Sequence, residues 1–212
     1  MGRKLDFDLL KQRKIIFGGV EYPVREKTVR DELGAVRNFR ERYADIVTRY
    51  GEHERPDMLT LKREEIEVMT DVISYFCDMP REKLESMPVR AFYAVHSYVL
   101  GGSLDGDALD ADAHRLAGSF TYNGVERAIK APSITESLGM FEINSSRLSV
   151  AESSGDTAAQ REAAIDIASM CVDMPREEFY GIPDAGLFWI LDTIFISANG
   201  ERITSEETEK NV

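Results

Sequence analysis

Cysteine is scarce in this chain, with two residues in 212. Two cannot form the disulfide framework on which small secreted domains depend, so a reducing, intracellular setting is expected. Histidine is equally thin. His53, His96 and His114 are far apart in sequence, with no ligand partner at zinc spacing. His53-Glu54 is followed by Arg-Pro-Asp, which excludes a zinc-protease helix. No apolar run approaches the roughly 20 residues that span a bilayer, so no membrane partner is expected. The opening MGRKLDFDLLKQRKIIF is basic but lacks the continuous apolar core of a secretory signal, and Asp6 breaks the myristoylation pattern. There is no Gly-x-Ser-x-Gly, no P-loop and no Gly-x-Gly-x-x-Gly. The reading is therefore not an enzyme, with no catalytic residue, no cofactor and no metal.

Cations are short in one half only. Residues 1–104 balance 18 Lys/Arg against 18 Asp/Glu, whereas residues 105–212 set 8 against 20, so the whole net charge of −12 lies in the second half. A surface of that sign repels phosphates and argues against nucleic acid as a partner. It suits a basic protein partner, a DNA mimic or plain solubility. Asp105, Asp107, Asp110 and Asp112 are dense enough to suggest a cation loop. Their spacing fails the EF-hand pattern and no bidentate Glu follows, so a solvated acidic loop is the simpler reading. Asn144-Ser-Ser matches a glycosylation acceptor but carries no weight without a secretory signal. Cys77 and Cys171 lie on helical patterns and read as buried, inert thiols.

What the chain does have is a resemblance to itself. Gly19-Val20-Glu21 matches Gly124-Val125-Glu126 at a shift of 105, and Asp78-Met79-Pro80-Arg81-Glu82 matches Asp173-Met174-Pro175-Arg176-Glu177 at a shift of 95. Pro88 and Pro183 follow at that second shift. The fold class expected is α+β, mostly helical: two related units, each a β-hairpin followed by about three to four helices. The boundaries expected are 1–102 for the first unit, 103–117 for an acidic linker, 118–200 for the second unit and 201–212 for a charged tail.

Each copy opens on alternating residues around a two-residue turn. Lys14–Phe17 and Val20–Val24 flank Gly18-Gly19; Ser119–Tyr122 and Val125–Ile129 flank Asn123-Gly124. Both pairs accept the positive φ that tight hairpins demand. Pro23 cannot donate to a ladder and predicts an edge strand. Thr28-x-x-Asp31 and Ser133-x-x-Glu136 then predict capped helix starts. In copy one, Val29, Leu33, Val36, Phe39, Tyr43, Ile46/Val47 and Tyr50 trace one apolar stripe. The Ser-rich stretch in copy two predicts a brief or broken helix. A second helix follows in each, capped by Thr60 or Asp156, then an Asp-Met-Pro stop and a last helix from near Pro88 or Pro183.

The last helices differ. Copy two places Leu187, Ile190, Leu191 and Ile194 on one face, but also Trp189 and Ile196 on the opposite face near Ala185. A helix apolar on two sides has two packing surfaces. Trp189, Ile196 and Ala185 are thus the partner-binding candidates; the alternative is that Trp189 packs inside the protein.

The order of hairpin, capped helix, helix ending in Met-Pro-x-Glu-x-Leu (Met79 to Leu84) and proline-started terminal helix resembles the tail assembly chaperones of long-tailed bacteriophages. The match runs from Ile16 to Leu100 and again from Phe120 to Phe195. The resemblance implies a non-catalytic protein of the infected host cytoplasm. It would bind a helical tape measure protein before tail tube subunits assemble around it, alone or as a homo-oligomer. A structural virion component, as tail or adaptor protein, and an acidic inhibitor or DNA mimic are the alternatives.

Overall fold

The computed structural model describes residues 13–52, 58–101 and 108–199. The fold is α+β and mostly helical, with eight helices and a few short strands among the described residues. The chain divides into two compact units, Met1–Leu84 with Phe92–Asp112, and Glu85–Ala91 with Ala113–Val212.

In the first unit β1 (Lys14–Phe17) and β2 (Val20–Pro23) form the expected hairpin, with Gly18 and Gly19 at φ +59° and +73°. A side chain rarely adopts either value, which is why glycine fills both positions. Pro23 does lie on an edge strand, because the sheet order is β2-β1-β3. β3 (Ala108–Asp110) adds parallel to β1, with Ile15 opposite Leu109. β3 falls within the stretch 103–117 expected as an acidic linker. Alternation around Leu109 lets a three-residue strand form, and Asp112 then accepts from the Gly18 and Gly19 amides at 3.1 and 3.4 Å. The earlier part of that stretch lies outside the described residues, as does the tail from 201.

Helix α1 consists of three consecutive stretches: Val29–Asp31, a π-helical turn Glu32–Val36, and Arg37–Glu52. Thr28 and Asp31 cap it reciprocally: the Asp31 carboxylate takes the Thr28 amide at 2.8 Å, and Thr28 Oγ1 takes the Asp31 amide at 3.2 Å. The π turn rotates the helix out of a single register. Val36 and Ile46 are buried, but Leu33 is 69% exposed and Val47 50%, so the predicted stripe turns only partly inward. α2 (Met58–Phe76) starts before Thr60, which falls in its first turn and does not cap it. Met69, Val72, Ile73 and Phe76 are buried as their spacing predicts. α3 (Arg81–Glu85) follows the Asp-Met-Pro stop, and α4 (Val89–Leu100) buries Phe92, Val95 and Val99. Burying side chains of this size stabilises the fold by about 1.5–3 kcal/mol each.

In the second unit β4 (Leu116–Tyr122) and β5 (Val125–Lys130) pair antiparallel, with Asn123 and Gly124 at φ +50° and +74°. α5 comprises Ile134–Ile143, a π-helical turn Asn144–Leu148, and Ser149–Ser154. Of the brief or broken helix that the serines suggested, the structure shows an interruption at the π turn and not an early end. Ser145, Ser146, Ser153 and Ser154 turn their hydroxyls onto carbonyls three or four residues back, so they coexist with the helix. Ser133 and Glu136 form the predicted capping box. Asp156 caps α6 (Thr157–Cys171), α7 (Arg176–Phe179) follows Pro175, and α8 (Asp184–Ala198) follows Pro183. Ile129, Met140, Ile167, Phe179, Leu187 and Ile194 lie in one buried cluster. Glu85–Ala91 group with this unit because Val89 donates to the Pro132 carbonyl at 2.9 Å and Ile134 to the Met87 carbonyl at 3.2 Å.

Candidate functional site

α1 crosses α2 through a small satellite core of Ile46, Leu61 and Val68, with Tyr50 packed against it. Between α1, α2 and α4 lies an apolar groove of about 250 Å³. Val36, Phe39 and Tyr43 of α1, Val68 and Val72 of α2, and His96 and Leu100 of α4 line it, with Ala44 and Arg40 at its rim. The π turn aims Val36 into this groove while leaving Leu33 outside. Arg40 is held at the rim by an ion pair with Glu32. The other flank of α1 has the opposite character, a charged cleft where Arg42 meets Asp71 at 2.8 Å and Arg49 meets Asp45 at 3.1 Å and also Glu64.

Beside the groove lies a nearly enclosed polar cluster. Glu65 is buried and takes hydrogen bonds from Tyr93 at 3.1 Å and Tyr43 at 3.4 Å, and Lys62 reaches it at 3.0 Å. Lys62 also donates to the Tyr93 oxygen. Burial, and then the Glu65 charge, push the phenols of Tyr93 and Tyr43 upward and Tyr50 to about 12, so all three stay protonated at neutral pH. Burial pulls His96 below its ordinary value against the opposing Glu65 charge, so the imidazole is neutral where it faces the groove. The arrangement presents an apolar slot with polar groups already satisfied by one another, which suits the reception of apolar side chains.

The sequence-predicted residues lie elsewhere, on α8. Ala185 is exposed, while Trp189 and Ile196 are half-buried. Trp189 packs against the buried cluster of the second unit, and its carbonyl accepts from Thr193 at 2.9 Å. Ala185, Trp189 and Ile196 follow one another at helical spacing along α8. Cys77 and Cys171 are free and buried, with burial raising the thiols to about 11 and about 12. His53 lies outside the described residues. Among the described residues no group of three or more His, Cys, Asp or Glu side chains could hold a metal ion. No helix among them is long and apolar enough to cross a membrane.

Sequence reading missed the groove and the Lys62–Glu65–Tyr93 cluster. One signal was present. Glu65 falls in step with Leu61, Val68 and Val72 on the apolar face of α2, where a carboxylate needs partners. No protein-family model, curated protein or solved structure matches the chain.

Proposed function

We infer that this protein is a non-catalytic binding scaffold for a helical protein client, in the manner of the phage tail assembly chaperones that its sequence resembles. The groove between α1, α2 and α4 carries this reading. Its lining is almost wholly apolar, and the partly exposed Tyr43 forms part of it. An amphipathic helix presents apolar side chains at i, i+3, i+4 and i+7, and a slot between helices accepts such a row. In chain order each half of the sequence has a hairpin, a π-interrupted helix, a second helix and a terminal helix that follows a proline. Two such units in one chain would raise avidity along an extended helical client. The client in this reading is a long helical protein such as a tape measure protein, met in the host cytoplasm.

The test is titration of a fluorescein-labelled amphipathic Leu/Lys helical peptide, followed by anisotropy. Ala44 is exposed at the groove rim, so Ala44→Glu puts a charge on the client path with little effect on folding. Affinity should fall about ten-fold, the cost of desolvating a charge against an apolar surface, with an unchanged thermal midpoint. Equal binding by Ala44→Glu and the parent would remove the groove from this role.

A further inference from the structure

The two hairpins end differently at their outer edges. In the first unit β1 has β2 on one side and β3 on the other, so both edges are paired. In the second unit β5 is flanked by β4 and by a single bridge from Ile129 to Val172, but β4 pairs with β5 alone among the described residues. β4 is seven residues long, LAGSFTY, and contains no charge and no proline. Natural edge strands are guarded by Lys, Pro, bulges or shortness. β4 has one irregularity, between Leu116 and Gly118, and the stretch from Gly118 to Tyr122 is regular. In a two-residue hairpin the residues flanking the turn form the hydrogen-bonded pair, so Tyr122 and Phe120 turn their backbone groups toward β5. Ser119 and Thr121 then turn theirs outward, and both residues are exposed.

The first unit shows what such an edge takes. Lys14, Ile15 and Ile16 lie opposite Ala108, Leu109 and Asp110 in parallel register, and Asp112 then caps the turn amides of Gly18 and Gly19. The shift of 105 that aligns the hairpins carries this pattern onto Ser119, Phe120 and Thr121, with the Asn123 and Gly124 amides in place of the glycine amides. In this hairpin Arg127 is paired with Glu178 at 3.0 Å and Glu126 takes the Ser119 hydroxyl at 3.0 Å, so an arriving acid would be held by the turn amides themselves.

We propose that the outer edge of β4 is a docking site for an extended segment of a protein partner, added parallel to β4. That segment has a small-apolar-acidic core and a second acidic residue two positions on, which caps the Asn123-Gly124 turn. The affinity comes from main-chain hydrogen bonds to Ser119 and Thr121, and the direction is set by the acid on the turn. This site takes a strand rather than a helix and stands whether or not the groove holds a client.

The probe is a synthetic nonapeptide, Gly-Asp-Ala-Leu-Asp-Ala-Asp-Ala-His, which reproduces residues 106–114. It is titrated into the full chain with amide hydrogen exchange read residue by residue by NMR. In the free protein the Ser119 and Thr121 amides should exchange fast while those of Phe120 and Tyr122 are protected. Saturating peptide should slow Ser119, Thr121 and Gly124. A peptide with the last aspartate replaced by asparagine should bind about ten-fold more weakly, because a charge-assisted hydrogen bond is lost. Ser119→Pro removes one outward amide at a position where an edge strand tolerates proline, and should abolish the protection at Thr121 with the hairpin intact. Ser119 and Thr121 amides already protected in the free chain would overturn the proposal. So would peptide-induced protection confined to β1, or full binding by Ser119→Pro.

Discussion

Asp31 is the most heavily bonded carboxylate described. It takes Arg25 through two bonds at 2.9 and 3.3 Å, the Thr28 amide and hydroxyl at 2.8 and 2.7 Å, and the Tyr75 hydroxyl at 2.9 Å. Arg25 is stacked in turn over the Tyr75 and Phe76 rings. The Arg25 bond above all, then Thr28, holds this carboxyl well below the usual carboxylate range. A depressed acid adds stability above its unfolded value and loses it as pH falls through the folded one. His96 gives an earlier loss. Its folded value is also depressed, so stability falls as pH drops below the ordinary histidine value of about 6.5. Thermal midpoints measured from pH 8 to pH 3 should therefore decline in two stages, below about 6.5 and below about 4. His96→Gln should remove the first stage, and Asp31→Asn should shrink the second, which Glu32, Glu64 and Asp166, also held below their ordinary values by ion pairs, would sustain in part. Asp31→Ala should cost about 2–3 kcal/mol in urea unfolding, since four donors lose a charged acceptor. Trp189 belongs to the same scale. Because it packs against a buried cluster, Trp189→Ala should cost about 2 kcal/mol, roughly half the value for a fully buried ring. An unchanged urea midpoint would instead place it on a free surface.

At the scale of elements, termini are defined by side chains and turns by backbone sign. Ser133 accepts the Glu136 amide at 3.2 Å while Glu136 reaches back to the Ser133 amide at 2.8 Å. Ser133→Ala should cost about 1 kcal/mol in chemical denaturation, and Ser133→Asp should restore most of it. Gly155 ends α5 at φ +70°, with its amide bonded to the Glu152 carbonyl at 3.2 Å. The Ser133 cap was visible in the sequence pattern; the Gly155 cap was not read there. The π turns at Glu32–Val36 and Asn144–Leu148 were not visible either. They insert a residue without changing composition, so periodicity alone returns an average stripe. Leu33 is left outside that stripe, and Val36 is brought to the groove.

At the scale of the whole molecule, the chain carries one buried thiol in each unit, Cys77 in the first and Cys171 in the second. Both are pushed far above neutrality by burial, so neither is a nucleophile while its unit is folded. Iodoacetamide labelling across a urea series, read by mass spectrometry of the two cysteine peptides, should report the unfolding of each unit separately. Both sites should be silent in the native protein; labelling of either without urea would mean that its unit opens locally.

The sequence by itself determined the local rules: both hairpins from Gly18-Gly19 and Asn123-Gly124, the caps at Thr28, Ser133 and Asp156, the helix starts after Pro88 and Pro183, and the α+β, mostly helical class. These depend on backbone sterics and on partners three or four residues away, which a linear reading can see. Only the tertiary structure decided that Leu109 would pair with Ile15, 94 positions earlier in the chain. It also decided that Glu65 would find Tyr43 and Tyr93, and that Trp189 would pack inward. Those outcomes depend on which distant surfaces meet, and a strand of three residues or a lone carboxylate on an apolar face carries no local sign of its partner.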